Sequence, residues 1–147
     1  MRKSKLTEEV QKLIVDTNIL VSSLLGKSYP YKIIYDLVFT DRVKLFISPS
    51  ILEEYQGVLS RRKFQKKTSF YEDAKNLVDS ILEVGILINP KTSIDILPDK
   101  SDNKFLDLSI AVQADCLITG NTKHFPFRQF ESTLILSPKE YWDTFWK

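Results

Sequence analysis

Short apolar stretches alternate with amphipathic ones along most of the chain, and this alternation constrains the fold more than any other feature. The apolar stretches predict β-strands at residues 13–16, 44–48, 85–88, 116–119 and 133–136. Helical periodicity predicts helices at residues 19–25, 31–40, 50–62, 70–84, 102–114 and 138–147. Strands that alternate with helices of this length form parallel βαβ units. The sequence therefore predicts a three-layer α/β/α sandwich with a mainly parallel central sheet.

The length and composition fit one globular domain. The chain has 147 residues, of which 43% are hydrophobic and 27% charged, and this is enough to bury an ordinary core. We expect a core at about residues 12–138 and a C-terminal helix that docks on it. Serine–glutamate capping boxes are predicted at residues 50–53 and 137–140. The docking face of the last helix is aromatic and comprises Tyr141, Trp142, Phe145 and Trp146.

Composition excludes several classes of protein and of site. No apolar run approaches the ~20 residues of a transmembrane helix, and Glu8 and Glu9 interrupt any signal-peptide core. The single cysteine, Cys116, excludes an internal disulfide and indicates a reducing, cytoplasmic location. The single histidine, His124, excludes a histidine-rich zinc site. Any metal chemistry must therefore use oxygen ligands.

An acid, Asp16, ends the first predicted strand. Ligands of open parallel sheets bind outside the carboxyl ends of the strands, so Asp16 is a candidate site residue. An N-cap for the next helix is the alternative, and Thr17 could provide that cap instead. The residues alone leave both interpretations open.

Helical geometry separates two adjacent glutamates in the helix predicted at residues 50–62. At about 100° per residue, Glu53 points away from the apolar stripe, whereas Glu54 lies at its edge and can bend toward the end of the sheet. The capping box explains Glu53. Glu54 is therefore the candidate site residue, with a solvated flank position as the alternative. The stripe comprises Ile51, Leu52, Tyr55, Val58 and Leu59.

The helix predicted from residue 102 carries an acid on its inward face. Asp102 shares that face with Phe105 and Leu106. A buried acid needs a partner or a role, although an N-cap is again an alternative. Among the neighbouring acids, Asp99 reads as part of a turn, and solvated surface positions are expected for Asp107 and Asp115.

Polar residues also follow the strand predicted at residues 116–119. The carboxamide oxygen of Asn121 can bind a hard cation or a metal-bound water. The alternative is that Asn121 adopts a left-handed turn conformation.

A basic cluster occupies residues 61–67, with the sequence RRKFQKK. Arg61, Arg62, Lys66 and Lys67 could follow a phosphate backbone while Phe64 offers a stacking surface. The alternative is a solvated loop after a helix, with the two arginines near its C-terminus.

Four short motifs occur in a fixed order: VDTNIL at residues 15–20, the glutamate of LEEY at 52–55, DNKFL at 102–106 and ADCLITGN at 114–121. Together they resemble the PIN domain, specifically the VapC-like ribonucleases that are toxins of bacterial and archaeal toxin–antitoxin pairs. The similarity extends from about residue 12 to 138. It implies a parallel-sheet sandwich that cleaves RNA with clustered acids and a divalent cation, Mg²⁺ or Mn²⁺.

On this resemblance, Asp16, Glu54 and Asp102 are the catalytic acids and metal ligands, and Asn121 occupies the fourth ligand position. Many family members have aspartate at that position. The amide of Asn121, followed by a His-Phe-Pro sequence at residues 124–126, resembles a variant within this branch. We therefore expect one resident cation, with a second one recruited only together with substrate phosphate.

The resemblance also implies partners, namely an RNA substrate, an antitoxin protein from a neighbouring gene and a second copy of the chain in a homodimer. The leading prediction is a divalent-metal-dependent endoribonuclease that is the toxin of such a pair. Two alternatives stay open: a catalytically weak or inactive PIN-fold RNA-binding or scaffold module, and a structure-specific DNA nuclease. Metal-dependent cleavage of single-stranded RNA, but not of DNA, would separate the three.

Overall fold

The computed structural model describes residues 10–61 and 69–147. These residues form one sheet with the strand order β3-β2-β1-β4-β6-β5. All neighbouring strands are parallel except β5 and β6, which are antiparallel. The predicted mainly parallel sheet is therefore confirmed, although the sequence did not indicate β5. The strands are β1 (Lys12–Val15), β2 (Lys44–Ile47), β3 (Ile86–Leu87), β4 (Cys116–Ile118), β5 (Gln129–Phe130) and β6 (Thr133–Leu136).

Six α-helical segments accompany the sheet within these residues. Short 3-10 turns at Lys100–Asp102 and Thr122–His124 lie in the connections. No helix in residues 10–61 or 69–147 is both long and apolar enough to cross a membrane. The helices are α1 (Thr17–Leu25), α2 (Tyr29–Tyr31), α3 (Pro49–Leu59), α4 (Phe70–Val84), α5 (Asn103–Val112) and α6 (Pro138–Phe145).

The helix predicted at residues 31–40 is mostly π-helical. Helix α2 continues into a π-helical segment, Lys32–Val38, and the amide of Phe39 donates to the carbonyl of Ile34 at 3.0 Å. Such wide turns are rare. Along one face, Tyr35 stacks on Tyr31 at 4.5 Å and meets the Phe39 ring edge-on at 5.1 Å, measured between ring centroids. Hydrophobic periodicity predicted the helix but could not distinguish its type.

The two central strands are buried on both faces. Every residue from Leu13 to Val15 in β1, and every residue of β4, has no exposed surface. Because successive strand side chains point to opposite faces, layers must cover both sides of the sheet. The predicted α/β/α sandwich is confirmed, and Cys116 lies in its core.

Polar residues collect at one edge of the sheet. Since β1, β4 and β6 are parallel, the residues that follow them all lie beyond their carboxyl ends. Two backbone hydrogen bonds align these positions: Asp16 donates to Ile118 at 2.8 Å, and Thr119 donates to Leu136 at 3.0 Å. This edge therefore brings the ends of three strands side by side.

The C-terminal helix begins with the predicted capping box. The Ser137 side chain accepts from the Glu140 amide at 3.1 Å, and the Glu140 side chain accepts from the Ser137 amide at 2.8 Å. Tyr141 is fully buried, and its hydroxyl contacts the Gln11 carboxamide while accepting from the indole of Trp146. The aromatic face of α6 is thus packed against the body of the protein.

The capping box predicted at residues 50–53 is wrong. Helix α3 begins earlier, with Pro49 in its first turn and Ser48 as the N-cap. The Ser48 hydroxyl accepts from the Ile51 amide at 3.2 Å. Proline is well suited to the first helical position, and its fixed backbone angle favours the earlier start. Glu53 is exposed and takes no part in the cap.

Candidate active site

Asp16 lies directly after β1, at the N-cap position of α1, and is 7% exposed. Its side chain makes no capping hydrogen bond. Instead, Oδ2 accepts a hydrogen bond of 2.8 Å from the hydroxyl of Thr119, which follows β4. Burial raises the pKa of Asp16, and the charge of Glu54 adds to this, whereas the Thr119 hydroxyl lowers it. The backbone amides of Thr17 and Asn18, at the start of α1, also lower the pKa of Asp16. The carboxylate therefore interacts both with Thr119 across the ends of the strands and with the first turn of its own helix.

Glu54 is held from two sides. Its Oε1 pairs with the Lys104 ammonium at 2.6 Å, and its Oε2 accepts from the Thr17 hydroxyl. Glu54 is half-buried while Glu53 is exposed, which is the difference that helix geometry predicts. Thr17 opens α1 and Lys104 lies in the first turn of α5, so three helices meet at this glutamate.

Asp102 has an unsatisfied oxygen. It occupies the N-cap position of α5 and is 8% exposed, yet its side chain makes no capping bond. Its Oδ2 is buried without a hydrogen-bond partner in the described part of the chain. Nδ1 of His124 lies 3.3 Å from this oxygen. Burial raises the pKa of Asp102, and the charges of Asp16 and Asp99 raise it further.

Asn121 is exposed at the end of the same sheet edge. Its backbone φ of −125° lies outside the left-handed region, so the left-handed-turn alternative is wrong. Its backbone amide donates to the Thr119 hydroxyl at 3.0 Å. Since this hydroxyl also donates to Asp16, Thr119 couples the loop that carries Asn121 to the first acid.

The three predicted acids influence one another electrostatically. The charge of Glu54 raises the pKa of Asp16, and both of these acids raise the pKa of Asp102. Nevertheless, residues 10–61 and 69–147 contain no group of three or more His, Cys, Asp or Glu side chains arranged to hold a metal ion. Like charges repel at close range, and Glu54 and Asp16 have other partners. The convergence expected from the sequence is thus incomplete in this structure.

Comparison with known proteins identifies the family. A model of the PIN domain matches residues 12–123. The chain belongs to the PIN domain family. PIN domains are generally nucleases, so the carboxyl edge described above is the candidate active site of this PIN domain.

Two further similarities cover nearly the whole PIN domain. An uncharacterized protein of Methanocaldococcus jannaschii is 28% identical over 145 residues, which cover 92% of each chain. A chain in the crystal structure of VapBC2 from Rickettsia felis, bound to a DNA fragment from their promoter, matches with a TM-score of 0.54. That match covers 85% of this chain and 97% of the other at 19% identity, and it supports the fold.

Two acids predicted to be solvated have structural partners. Asp107 is half-buried, and its Oδ1 accepts from the Ile94 amide at 2.6 Å. Asp115 accepts from the Lys12 amide at 2.8 Å through Oδ2. The prediction of free surface positions is therefore wrong for both. Helix-face geometry could not reveal it, because the partners come from distant segments of backbone.

Several residues of this PIN domain edge were not predicted from the sequence. Thr17 and Lys104 hold Glu54, Thr119 holds Asp16, and His124 lies beside Asp102. The position of Thr119 at the end of the strand predicted at residues 116–119 was a usable signal. For Lys104 there was none, because its partner lies 50 residues away in the sequence.

The predicted RNA-binding cluster is only partly described. Arg61 is exposed just after α3. Arg62, Lys66 and Lys67 lie outside the described residues. This prediction therefore stays untested.

Proposed function

We propose that this PIN domain protein is a divalent-metal-dependent endoribonuclease that acts as the toxin of a toxin–antitoxin pair. The observation that supports this most directly is the Oδ2 of Asp102, which is buried near Asp16 and accepts no hydrogen bond within residues 10–61 and 69–147, although Nδ1 of His124 lies 3.3 Å from it. A buried carboxylate oxygen without a partner is costly. A cation that binds there supplies the missing partner.

The donor set fits Mg²⁺ or Mn²⁺. Carboxylate and carboxamide oxygens are the ligands that these hard cations prefer. Asp16 and Asp102 would hold the ion, since burial disfavours their uncompensated charges, and Glu54 and Asn121 would complete its surroundings. When bound, such a cation polarises phosphate oxygens and lowers the pKa of a coordinated water.

The protein's own residues fix the acids for this task. Thr119 orients the Asp16 carboxylate through a hydrogen bond, as outer partners of metal ligands do. The Thr17 hydroxyl and the Lys104 ammonium orient Glu54. The neighbouring charges raise the pKa of Asp102, so a cation that replaces this repulsion with attraction binds more favourably.

RNA is the proposed substrate, and the basic cluster at residues 61–67 is the proposed path of its phosphate backbone. Positive side chains release counterions from a phosphate backbone, and each lost phosphate contact lowers the log–log salt slope by roughly 0.7 for a single strand. Changing Arg61, Arg62, Lys66 and Lys67 to glutamine should therefore weaken RNA binding and flatten its salt dependence. A variant with the unaltered slope would contradict this path.

The proposed partners are an antitoxin protein, encoded by a neighbouring gene, and a second copy of this chain. The crystallised relative named above was solved as VapBC2 with promoter DNA, which supports a search for an antitoxin. The proposed location is the cytoplasm, where the thiol of the buried Cys116 stays reduced. Co-expression with the adjacent gene, followed by co-purification, tests the pairing.

Asp16→Asn tests the nuclease assignment. We expect the loss of metal-dependent cleavage of single-stranded RNA by more than about 100-fold, because even indirect partners of a metal ligand contribute 10–100-fold. The melting temperature should be kept or raised, since burial disfavours the charge that is removed. The matched control is Asp79→Asn, which removes an acid with a 63% exposed side chain on α4.

Four results would contradict the assignment. Full activity of Asp16→Asn, or cleavage that persists in EDTA, would rule out the proposed site. Equal cleavage of single-stranded RNA and DNA would rule out the substrate class. RNA binding without cleavage at any Mg²⁺ or Mn²⁺ concentration would favour the second candidate, an inactive RNA-binding module. The pairing of Glu54 with Lys104, which occupies one of the three acids, favours that candidate.

A further inference from the structure

Lys104 is a positively charged residue at the candidate active site, where it contacts Glu54. Its ammonium lies 2.6 Å from Glu54 Oε1 and 2.7 Å from the backbone carbonyl of Ser101, and its side chain is only 21% exposed. Nearby Lys100, by contrast, has a 78% exposed side chain and pairs with Asp95 on the surface. Two fixed acceptors therefore hold Lys104 at the acids, while Lys100 is solvated.

The charges at this edge balance with one divalent ion. Asp16, Glu54 and Asp102 supply three negative charges and Lys104 supplies one positive charge, so a single divalent cation neutralises the set. Of the four predicted ligands, the one left for a second cation is Asn121, whose side-chain amide is neutral and whose position is exposed. The ammonium of Lys104 therefore supplies the positive charge that the three acids would otherwise require from a second cation.

An ammonium group also suits the substrate that the proposed function requires. It has three N–H donors, and the contacts with Glu54 and Ser101 use two of them. The third can reach a phosphate oxygen, and lysine is a well-established phosphate ligand. A divalent cation that draws Glu54 toward itself would release a second N–H for the same purpose.

We propose that Lys104 is a substrate-contacting residue that takes the place of a second metal ion: it competes with the divalent cation for Glu54 and binds the RNA phosphate. This inference rests on the proposed function and names its phosphate contact. It predicts that loss of the Lys104 ammonium changes the affinities for the cation and for RNA in opposite directions. Removing the ammonium should strengthen cation binding, because Glu54 loses its competitor, and should weaken RNA binding, because a phosphate contact is lost.

The test compares Lys104→Gln with Lys104→Arg and with the control Lys100→Gln. Mn²⁺ is titrated calorimetrically into each full-length protein without RNA, and a cleavage-resistant single-stranded RNA is then titrated in Mn²⁺ at several salt concentrations. For Lys104→Gln we expect about fivefold tighter Mn²⁺ binding, as for the loss of an ion pair at a partly exposed site. RNA binding should weaken about tenfold, with a salt slope lower by roughly 0.7.

Lys104→Arg should retain most of the RNA affinity, since it keeps the charge, and Lys100→Gln should match the unmodified protein in both titrations. Equal Mn²⁺ affinity in Lys104→Gln and the unmodified protein would overturn the competition. Weaker binding of both Mn²⁺ and RNA, with a lowered melting temperature, would show a purely structural role. If the unmodified protein bound RNA and Mn²⁺ without cleaving RNA, the enzyme assignment would fail. The two titrations would then still decide the role of Lys104. If it bound neither, both proposals would fail.

Discussion

The hydroxyl of Tyr55 donates a hydrogen bond of 2.6 Å to the backbone carbonyl of Val15, the last residue of β1. The bond joins the residue after Glu54 to the residue before Asp16, so it fixes the position of helix α3 relative to the first strand. Tyr55 is fully buried, and burial, followed by the charges of Asp16 and Glu54, holds its pKa far above the ordinary value. It therefore acts as a neutral donor.

Tyr55→Phe should lower both stability and activity. The free energy of unfolding should fall by about 1–3 kcal/mol, because a buried carbonyl loses its side-chain donor. RNA cleavage should fall by up to about 100-fold if Glu54 shifts by as little as ~1 Å. Urea denaturation and cleavage assays measure the two effects. Tyr71→Phe, at a 56% exposed position on α4, is the control, and reduced stability with full cleavage would show that the bond has no positioning role.

Thr119→Val should weaken cation binding selectively. Valine keeps the shape of the buried side chain but removes the hydroxyl, which donates to Asp16 and accepts from the backbone amide of Asn121. We expect Mn²⁺ affinity to fall about 10–100-fold, as when outer partners of metal ligands are removed.

The matched control for that variant is Thr133→Val. Thr133 is also fully buried, and its hydroxyl donates to the Ala114 carbonyl at 2.7 Å. This bond lies at the amino ends of β6 and β4, opposite the carboxyl ends that carry Asp16 and Thr119. Both variants should lose about 1–3 kcal/mol of stability, but only Thr119→Val should lose Mn²⁺ affinity. Equal affinities in calorimetric titration would contradict the role of Thr119.

The strands and the positions of the candidate acids were predictable because they depend on local patterns. Runs such as Leu13–Val15 are apolar because both faces of a central strand are buried, and an acid that ends such a run has to lie at the sheet edge. The period of α3 likewise separated Glu54 from Glu53. These features need only neighbouring residues to be recognised.

What the sequence could not predict depends on distant partners. Lys104 meets Glu54 across 50 residues, and Asp115 meets Lys12 across 103. Neither contact leaves a periodic signal, since a lysine or an aspartate without such a partner would give the same sequence pattern. The short antiparallel strand Gln129–Phe130 was missed because two residues carry no alternation. Pairing between residues far apart in the sequence is set by the tertiary fold.

Glu140→Gln should reduce the stability of the protein at neutral pH but not in acid. The hydrogen bonds from Arg128 and from the Ser137 backbone amide hold the pKa of Glu140 below its ordinary value. A depressed pKa means that the charged form contributes stability above the unfolded pKa of about 4.3, and that this contribution is lost as the pH falls through the folded pKa.

Because the Glu140 side chain is 45% exposed, the loss at neutral pH should stay below about 1 kcal/mol. Urea denaturation between pH 7 and pH 3 measures it, and the difference between Glu140→Gln and the unmodified protein should shrink below the ordinary glutamate pKa. Asp79→Asn is the control for removal of an exposed acid on another helix. A difference that grows as the pH falls would reverse the sign and contradict the assignment.

Asn121→Asp should create a second cation site. Asn121 is exposed beside Thr119, so a carboxylate there adds a full negative charge near Asp16, and hard cations prefer charged oxygen ligands. We expect a lower Mn²⁺ concentration for half-maximal cleavage and a second binding event in calorimetry without RNA. Asn76→Asp, at an exposed position on α4, introduces the same charge elsewhere and should change neither measurement.

The double variant Asn121→Asp with Lys104→Gln connects this prediction to the role of Lys104. If the ammonium supplies the positive charge that a second cation would bring, removing it should make the new site tighter than in Asn121→Asp alone. The two substitutions should then be non-additive, as expected for groups that share one partner. Additive effects on Mn²⁺ affinity would show that Lys104 and a second cation do not compete. Two equally tight sites in the unmodified protein would show that the neutral side-chain amide of Asn121 does not weaken cation binding at the second site.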